Sequence, residues 1–423
     1  MSADNENTIR EIISNAEPVH DPLKELVQKI ESDPGAPFEP ENIELIAELR
    51  KDDPAEYFRL RHKLKKCGVL VRELDVAISG RSDVMGGVGT GSVQTEILLR
   101  LAEDAELFHT PDGRAYADIP VNSGRRTFEI SDQGGFGDWL RNGWFRETRN
   151  APCQEALRSA VRTLAATAQQ EGPQHAVHIR VAEHEGSYYL DLANDEGHVA
   201  KFNSEGWEVG RSAPVRFVRP RGLLPLPVPE KGGSLESQLF PLLNLRYQSQ
   251  QVLVTLWLVN CFMASPNYRV LVLQGEQGSA KSRTSRTLRD LLDPNVAPLR
   301  APPRNERELT ISAVNGHLLA FDNVSSLSQE MSDALCRLAT GTGLAPRRLW
   351  TGREEELLTA VKPIILNGIE QFVTRGDLAD RAIAITLQAI TSELYRTNAE
   401  LDEAFKQTWP QILGALLDVA VHG

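Results

Sequence analysis

One short segment, VLVLQGEQGSAKSRTSRTL (Val270–Leu288), constrains the fold more than any other part of the chain. A continuous apolar run precedes a glycine-containing loop, and a Lys-Ser pair then opens a stretch with Leu288, Leu291 and Leu292 on one helical face. Such a run is typical of a strand that is buried on both faces of a parallel sheet. The order strand, glycine loop, Lys-Ser and helix predicts a loop that holds phosphate groups at a helix N-terminus.

The chemistry of this loop follows from its residue types. Its backbone N–H groups are expected to surround the β-phosphate of ATP, with Lys281 between the β- and γ-phosphates and Ser282 as a ligand of Mg²⁺. Ala280 occupies a position where glycine is usual, and we expect little cost there if the residue has ordinary helical angles. The alternative is a tight strand–helix turn with an incidental lysine. The residues predicted to bind nucleotide are Gly275, Glu276, Gln277, Gly278, Ser279, Ala280, Lys281 and Ser282.

Three later apolar runs end or begin at polar residues that suit the same site. HLLAFDN ends near Asp322, which is predicted to hold Mg²⁺ through water, unless it is a helix cap. VKPIILNG ends near Asn367, which could orient an attacking water or simply form a turn beside a glycine. Arg381 precedes the run AIAITL, with Arg375 upstream. Each arginine is either a solvated surface residue or one that reaches the γ-phosphate of a neighbouring subunit.

A fourth stretch, between Asp322 and Asn367, is the candidate for contact with nucleic acid. In LAPRRLWTG, glycines flank an alternating pattern that predicts a hairpin carrying Arg347, Arg348 and Trp350. Two arginines with an indole suit single-stranded DNA, because arginines pair with phosphates and the ring stacks on a base. The alternative is a surface loop whose arginines pair with the acidic run that follows.

Patterning along the rest of the chain predicts five segments. Apolar residues recur at helical spacing near the N-terminus, and a hairpin at Asp112-Gly113 and a meander with several histidines follow. No converging acid or thiol set accompanies those histidines, so no metal site is expected among them. The segments are a helical region at 1–79, a Gly/Ser-rich linker at 80–93, a small α/β domain at 94–222, a Pro/Gly linker at 223–234 and an ATPase domain at 235–423.

Composition limits the functional classes. The chain has 423 residues, a formal net charge of −12 and a pI of about 5.4, which argues against non-specific coating of DNA. Its four cysteines are scattered and are expected to be reduced. The polar, acidic N-terminus is unlike a signal peptide, and the longest apolar run, from Val252, is too short to span a bilayer. We therefore expect a cytoplasmic protein without membrane contact, and a buried helix at that run.

The order of the phosphate loop, LLAFDN, IILNG and DRAIAI resembles superfamily 3 helicases and the wider AAA+ ATPases. More closely, LQGEQGSAKS, APLRAPPRNEREL and SDALCRLATGTG resemble helicase-type ATPases of phages and integrated mobile elements, which are often joined to primases. This resemblance implies a P-loop NTPase (AAA+-like) α/β fold and a hexameric ring that hydrolyses ATP and moves on single-stranded DNA. It implies that Lys281 and Ser282 bind nucleotide, Asp322 holds magnesium, Asn367 is the sensor and Arg381 acts on the neighbouring subunit.

One position departs from the pattern. Many AAA+ members have a glutamate after the magnesium aspartate, where it activates water, and here Asn323 takes that place. Glu276 is one substitute, although it could equally be a solvated loop residue. The sequence therefore predicts a DNA-dependent ATPase of helicase or translocase type for mobile-element replication. The alternative is a nucleotide-gated switch with little hydrolysis. A small-molecule kinase would need a phosphoacceptor pocket, and nothing in the sequence points to one. No primase chemistry is visible, so a primase, where one is needed, is expected to be a separate chain.

Overall fold

The computed structural model describes residues 22–30, 33, 35–67, 69–79, 90–121, 124–265, 267–341, 361–369 and 371–422. The chain divides into two compact units, Met1–Val93 and Gln94–Gly423. None of the described helices is long and apolar enough to cross a membrane.

The N-terminal unit is helical, as its periodicity predicts. A proline is the first residue of three of its helices, where the missing N–H has no partner to lose, and Asp53 caps one of them by accepting from Glu56 N at 3.0 Å. Leu26, Ile46 and Leu64 belong to the core that these helices share. The helices are α1 (Pro22–Ile30), α2 (Pro40–Asp52), α3 (Pro54–Lys66) and α4 (Val71–Ser79).

Helix α5 (Thr90–Leu101) begins inside the segment that the sequence predicts as a linker at 80–93. Its apolar residues recur at helical spacing, and Leu98 is fully buried. The glycine-rich composition of residues 80–93 therefore does not indicate that a helix begins near the C-terminal end of this segment. Residues 80–89 lie outside the described part of the chain.

An antiparallel sheet follows, with the strands β1 (Glu106–His109), β2 (Ala115–Val121) and β3 (Gly124–Glu129) in that order. The predicted turn at Asp112-Gly113 joins the first two, with Gly113 at a φ of +79°. Helices α6 (Gly135–Thr148) and α7 (Gln154–Gln170) pack on this sheet. Trp144 is buried, whereas Phe145 is half exposed, because neighbouring residues on one helix face different sides.

The predicted meander is present as a four-stranded antiparallel sheet. Its strands are β5 (Val181–His184), β6 (Ser187–Asp191), β7 (Val199–Asn203) and β8 (Gly206–Gly210), in sequence order. Two short strands, β4 (Val177–His178) and β9 (Arg216–Phe217), pair in parallel beside it. Gly186 and Gly197 lie in the turns between its strands with positive φ.

The C-terminal part contains a parallel sheet of four strands. They are β10 (Val270–Gln274), β11 (Leu319–Phe321), β12 (Ile364–Gly368) and β13 (Ala382–Thr386), and their order in the sheet is β11-β12-β10-β13. The chain therefore has the mixed α/β fold with a parallel sheet that its sequence predicts. The helices of this part are α8 (Gln248–Phe262), α9 (Lys281–Leu292), α10 (Glu306–Val314), α11 (Gln329–Thr340), α12 (Gly376–Ala379) and α13 (Asn398–His422).

Helix α8 corrects one expectation, because it is buried on one face only. Trp257 and Phe262 lie in the core, whereas Val252 is 50% exposed, Leu253 40% and Leu256 58%. A helix that packs on one side of a sheet presents its other face to solvent, whatever the residue types on that face.

The meander and the parallel sheet share one hydrophobic core. Leu190 and Phe202 of the meander belong to the same buried cluster as Leu271 of β10 and Leu413 of α13. Trp207 Nε1 also donates to Asp418 Oδ1 of α13 at 2.7 Å. Residues that the sequence predicts as separate domains, at 94–222 and 235–423, thus contribute to one compact unit.

Candidate functional site

The strand order brings three predicted site segments to one edge of the parallel sheet. Strand β12 lies between β10 and β11, and all three run in the same direction. The loop after β10, Asp322 after β11 and Asn367 near the end of β12 therefore meet at the carboxyl ends of the strands. Ligands of open parallel sheets bind at that edge.

A cavity of about 500 Å³ opens at this edge. Of the eight loop residues predicted to bind nucleotide, it includes all but Gly275 and Glu276. It also brings together Asp322 and Asn367, which are distant in sequence. The lining residues are Gln277, Gly278, Ser279, Ala280, Lys281, Ser282, Arg283, Asp322, Asn323, Asn367, Gly368 and Ile369.

The ammonium group of Lys281, the first residue of α9, lies within the loop. Its Nζ donates to Gly275 O and Glu276 O, each at 2.8 Å, and to Ser279 Oγ at 3.2 Å. Partial burial lowers the pKa of Lys281, and the charge of Asp322 acts in the opposite direction. The loop thus wraps around its own ammonium group, which places a positive charge at the N-terminus of α9, where the helix dipole also favours an anion.

Ser282 and Asp322 form the second element of the site. Ser282 Oγ donates to Asp322 Oδ1 at 2.8 Å. Both are oxygen ligands of the kind that Mg²⁺ prefers, and they lie close enough to share one ion or its water shell. The two residues therefore fit a magnesium site beside the phosphate loop.

The backbone of the loop corrects the expectation for Ala280. This residue has φ +57° and ψ +28°, which is the left-handed region and not the ordinary helical one. A residue with a Cβ pays roughly 1–2 kcal/mol there. Gly278, at φ +82°, has no such cost, and a Cβ on Gly275 would lie 2.3 Å from Leu387 O. Glycine is usual at position 280 because it adopts the left-handed conformation without strain, whereas Ala280 is strained there.

Asn367 is held more tightly than its predicted role implies. Its side chain is 1% exposed. Its Oδ1 accepts from Asn323 N at 3.1 Å, and its Nδ2 donates to Ser285 Oγ at 2.8 Å. The amide therefore braces helix α9 against the segment after β11, and its contact with an attacking water stays a prediction.

The residues considered for water activation are placed differently. Asn323 lines the cavity and is exposed, at φ +57°, a conformation that asparagine tolerates better than most residues. Glu276 contributes its backbone carbonyl to Lys281, but it is not among the residues that line the cavity. Asp322 is the one carboxylate among the lining residues that the structure describes.

Arg381 lies at the other edge of the sheet. It precedes β13, its carbonyl accepts from Val270 N at the start of β10, and its Nη1 donates to Asp377 O at 2.7 Å. Arg375 pairs with Asp333 at 3.5 Å. Neither arginine lines the cavity of its own chain, so a role at the γ-phosphate would require a neighbouring subunit.

Sequence reasoning missed the residues that anchor the loop. Asn244 Nδ2 donates to Ser279 O at 3.0 Å and to Gln388 O at 2.7 Å. Ile390 N donates to Gly278 O at 3.1 Å. The loop is thus joined to a segment before α8 and to the segment after β13. A lone asparagine gives no sequence signal for this role, because its partners are backbone carbonyls of distant segments.

The predicted DNA-binding residues Arg347, Arg348 and Trp350 lie outside the described residues. No group of three or more His, Cys, Asp or Glu residues suited to a metal occurs among the residues that the structure describes.

The C-terminal region matches a known family. Residues 237–423 match the family described as "Actinomycete integrative conjugative element replication protein", a match that spans less than half of the chain. No curated protein matches the chain significantly.

Solved structures give weaker similarities. The C-terminal region of NrS-1, in its apo A form, is 15% identical, with 77% of this chain and 68% of that chain covered and a TM-score of 0.42. Cch, described as an active helicase of SCCmec type IV, is 15% identical, with 74% and 58% covered and a TM-score of 0.36. JCV helicase is 14% identical, with 43% and 51% covered and a TM-score of 0.29. All three TM-scores lie below 0.5.

Proposed function

We propose that the chain is a P-loop ATPase of helicase or translocase type that acts in the replication of a mobile element. One observation carries the ATPase part of this proposal. Lys281 Nζ sits within the phosphate loop while Ser282 Oγ and Asp322 Oδ1 lie 2.8 Å apart at the carboxyl edge of a parallel sheet. The family match of residues 237–423 supports the role in replication.

Each residue has a role in ATP binding that follows from its position. The N–H groups of the loop bind the β-phosphate at the start of α9, and Lys281 spans the β- and γ-phosphates. Ser282 and Asp322 hold Mg²⁺, which neutralises phosphate charge when bound. Asn244 and Asn367 keep the loop and α9 in register with the strand ends.

A ring of identical subunits would complete the site. Arg381 is the residue proposed to reach the γ-phosphate of the next subunit, because it lies away from the cavity of its own chain. The exposed apolar face of α8, formed by Val252, Leu253 and Leu256, supports self-association, since apolar surface of this kind is favourable to bury between subunits. Single-stranded DNA is proposed to contact Arg347, Arg348 and Trp350, on their sequence pattern alone.

A regulatory switch that binds ATP but barely hydrolyses it is the second candidate. The observation that favours it is the absence of a glutamate beside Asp322, which is the one carboxylate among the described lining residues. Asn323 cannot accept a proton from water. Under this alternative, nucleotide binding would change assembly rather than drive movement along DNA.

Nucleotide binding is the first test. Lys281→Ala should abolish measurable ATP binding, because the variant removes the loop cation that faces the β- and γ-phosphates. Fluorescent ATP titration measures this, with Lys406→Met on the exposed side of α13 as a charge-matched control that should bind normally. Unchanged affinity in Lys281→Ala would overturn the nucleotide site.

Steady-state hydrolysis with and without single-stranded DNA then separates the two candidates. The helicase proposal expects stimulation by DNA that is lost in the double variant Arg347→Ala and Arg348→Ala, while basal turnover survives. The log–log salt slope of DNA binding should fall by about 0.7 for each lost phosphate contact. Turnover at background with and without DNA, together with normal ATP binding, would favour the switch.

A further inference from the structure

A second cavity lies at the opposite edge of the parallel sheet, and it shares no described lining residue with the first. Its volume is about 720 Å³, in the range that small-molecule ligands occupy. Tyr268, His317 and Lys362 line it, and these residues shortly precede β10, β11 and β12. Residues of β2, β3, the segments around β4 and β9, the C-terminal end of α10 and the segment after α8 form the remaining wall.

Lys362 is the residue that most needs an explanation. The residue is only 7% exposed, no described residue accepts a hydrogen bond from its ammonium group, and that group is not among the solvent-inaccessible unpartnered atoms, so it is open to the cavity. Burial lowers the pKa of Lys362 to about 8, and the charge of Asp293 offsets only part of that shift. A buried cation without a paired anion destabilises a fold, and such groups concentrate at functional sites.

The carboxylate that influences Lys362 is already engaged by other groups. Asp293 Oδ1 lies 3.3 Å from Arg180 Nε, and both side chains are fully buried. Asp293 Oδ2 accepts from His317 N at 2.9 Å and from Leu318 N at 3.1 Å, with Arg289 at 3.9 Å. Two arginines therefore share this one anion, and no other described carboxylate is paired with Lys362.

The other basic groups of the cavity are neutral or paired. Burial, with the charge of Lys362 as a second cause, lowers the pKa of His317 to about 4 and also lowers that of His178. Arg219 is paired with Asp191 at 2.8 Å, and Arg114 with Asp112 at the same distance. Lys362 is thus the one unneutralised cation among the described lining residues.

We propose that this cavity binds a phosphorylated ligand of about mononucleotide size, with its phosphate group against Lys362. A phosphate would supply the anion that the described residues do not, and His178, which is near enough for the charge of Lys362 to affect it, would donate a second hydrogen bond. Phe128 and Tyr116 offer aromatic surface for a base, while Glu129 and Asn315 offer polar atoms for a sugar.

Two sources present this chemistry, a free nucleotide and the 5′-phosphorylated end of a nucleic acid strand. The full-length protein is therefore titrated by calorimetry with three probes, which are inorganic phosphate, a nucleoside monophosphate and a 5′-phosphorylated tetranucleotide. Each titration is repeated in Lys281→Ala, which removes the loop cation of the first cavity. Binding to the second cavity should be the same in the Lys281→Ala protein as in the natural one.

Lys362→Met is the decisive variant, because methionine keeps the length and removes the charge. It should weaken binding of at least one probe by about 10- to 100-fold, the range for a hydrogen bond to a charged group. Lys406→Met, with the same loss of charge on an exposed helix face, should bind normally. His178→Gln is a second variant, for which we expect a smaller loss. A response to the monophosphate identifies a free nucleotide, and a response to the tetranucleotide alone identifies a strand end.

The thermal stability of Lys362→Met separates a binding role from a structural one. A lysine kept for binding destabilises the free protein, so its replacement should leave the melting temperature unchanged or raise it. If Lys362 instead stabilises the fold through Asp293, the Lys362→Met protein should have a lower melting temperature. A lower melting temperature of Lys362→Met would overturn the proposal. Equal binding of the probes by Lys362→Met and the natural protein would also overturn it, as would no binding of any probe at millimolar concentration.

Discussion

The two cavities of residues 94–423 lie at opposite ends of the same parallel strands and are built in opposite ways. The first is lined mainly by one contiguous loop, whose backbone and Lys281 face the cavity. The second is assembled from side chains of many separate segments around Lys362. Strand β12 joins them, because Lys362 precedes the strand and Asn367 lies near its end.

The two cavities differ in the surroundings of their lysine ammonium groups. Lys281 is only partly buried, and three oxygens of its own loop surround it. Lys362 is buried without a hydrogen-bond partner among the described residues, while the nearby Asp293 serves two arginines. The ammonium group of Lys281 has partners in its own loop, whereas the described residues offer no partner to that of Lys362. Three experiments test this contrast.

The largest effect tests whether the first cavity is completed by a neighbour, unlike the second. Arg381→Ala should leave ATP affinity nearly unchanged yet lower hydrolysis by about 10³-fold, the range for an arginine acting in trans. Mixing this variant with Lys281→Ala should restore some turnover, because one mixed interface would contain both intact groups. Steady-state ATPase assays of the mixture measure this recovery.

The control for this experiment is Arg337→Ala, which removes an arginine that pairs with Glu306 at 3.0 Å. Arg337→Ala alone should hydrolyse ATP at nearly the natural rate. A mixture without recovery, from a protein that remains monomeric with ATP, would contradict completion of the site between subunits.

The first cavity could be predicted from sequence because its parts are contiguous or lie at strand ends. The phosphate loop occupies one unbroken segment, and Asp322 and Asn367 follow apolar runs whose parallel arrangement brings their ends together. The α/β class with a parallel sheet followed from the same runs. These inferences need only local pattern and the rule that parallel strands share their carboxyl edge.

The remaining features depend on tertiary packing that local pattern does not carry. The left-handed conformation of Ala280 is set by the path of the loop, and Asn244 reaches that loop from a distant segment. The exposed face of α8 has the same residue types as its buried face. Lys362 lines a cavity with residues of β2 and β3 that are distant from it in sequence, so no local pattern marks it.

The second prediction sharpens the contrast in charge through pH. In the folded protein burial lowers the pKa of Lys362 to about 8 from an ordinary value of 10.5. Between these values the unfolded chain binds more protons than the folded one, so the contribution of Lys362 to stability rises with pH. Below pH 8 the lysine is charged in both states and its full cost applies, up to about 3 kcal/mol.

Lys362→Met should therefore be more stable than the natural protein at pH 7, and the difference should shrink as pH rises from 8 to 10.5. Denaturant unfolding of both proteins at several pH values measures it. Tyr268, whose pKa burial raises, contributes equally to both proteins and cancels in the comparison. A stability difference between the two proteins that is constant with pH would show that burial of Lys362 does not destabilise the fold.

The smallest effect concerns the backbone of the first cavity, which the second does not share. Ala280→Gly should stabilise the protein by about 0.5–1 kcal/mol, because relief of the left-handed strain exceeds the entropy that glycine adds to the unfolded chain. Ala166→Gly, on the exposed face of α7, is the matched control and should have the opposite sign, a loss of about 1 kcal/mol. Urea unfolding measures both changes. Phosphate binding at Lys362 should not change in either variant, since neither alters that cavity. If Ala280→Gly destabilises the protein as much as the control does, position 280 is not strained, and the loop owes its shape to Gly275 and Gly278 alone.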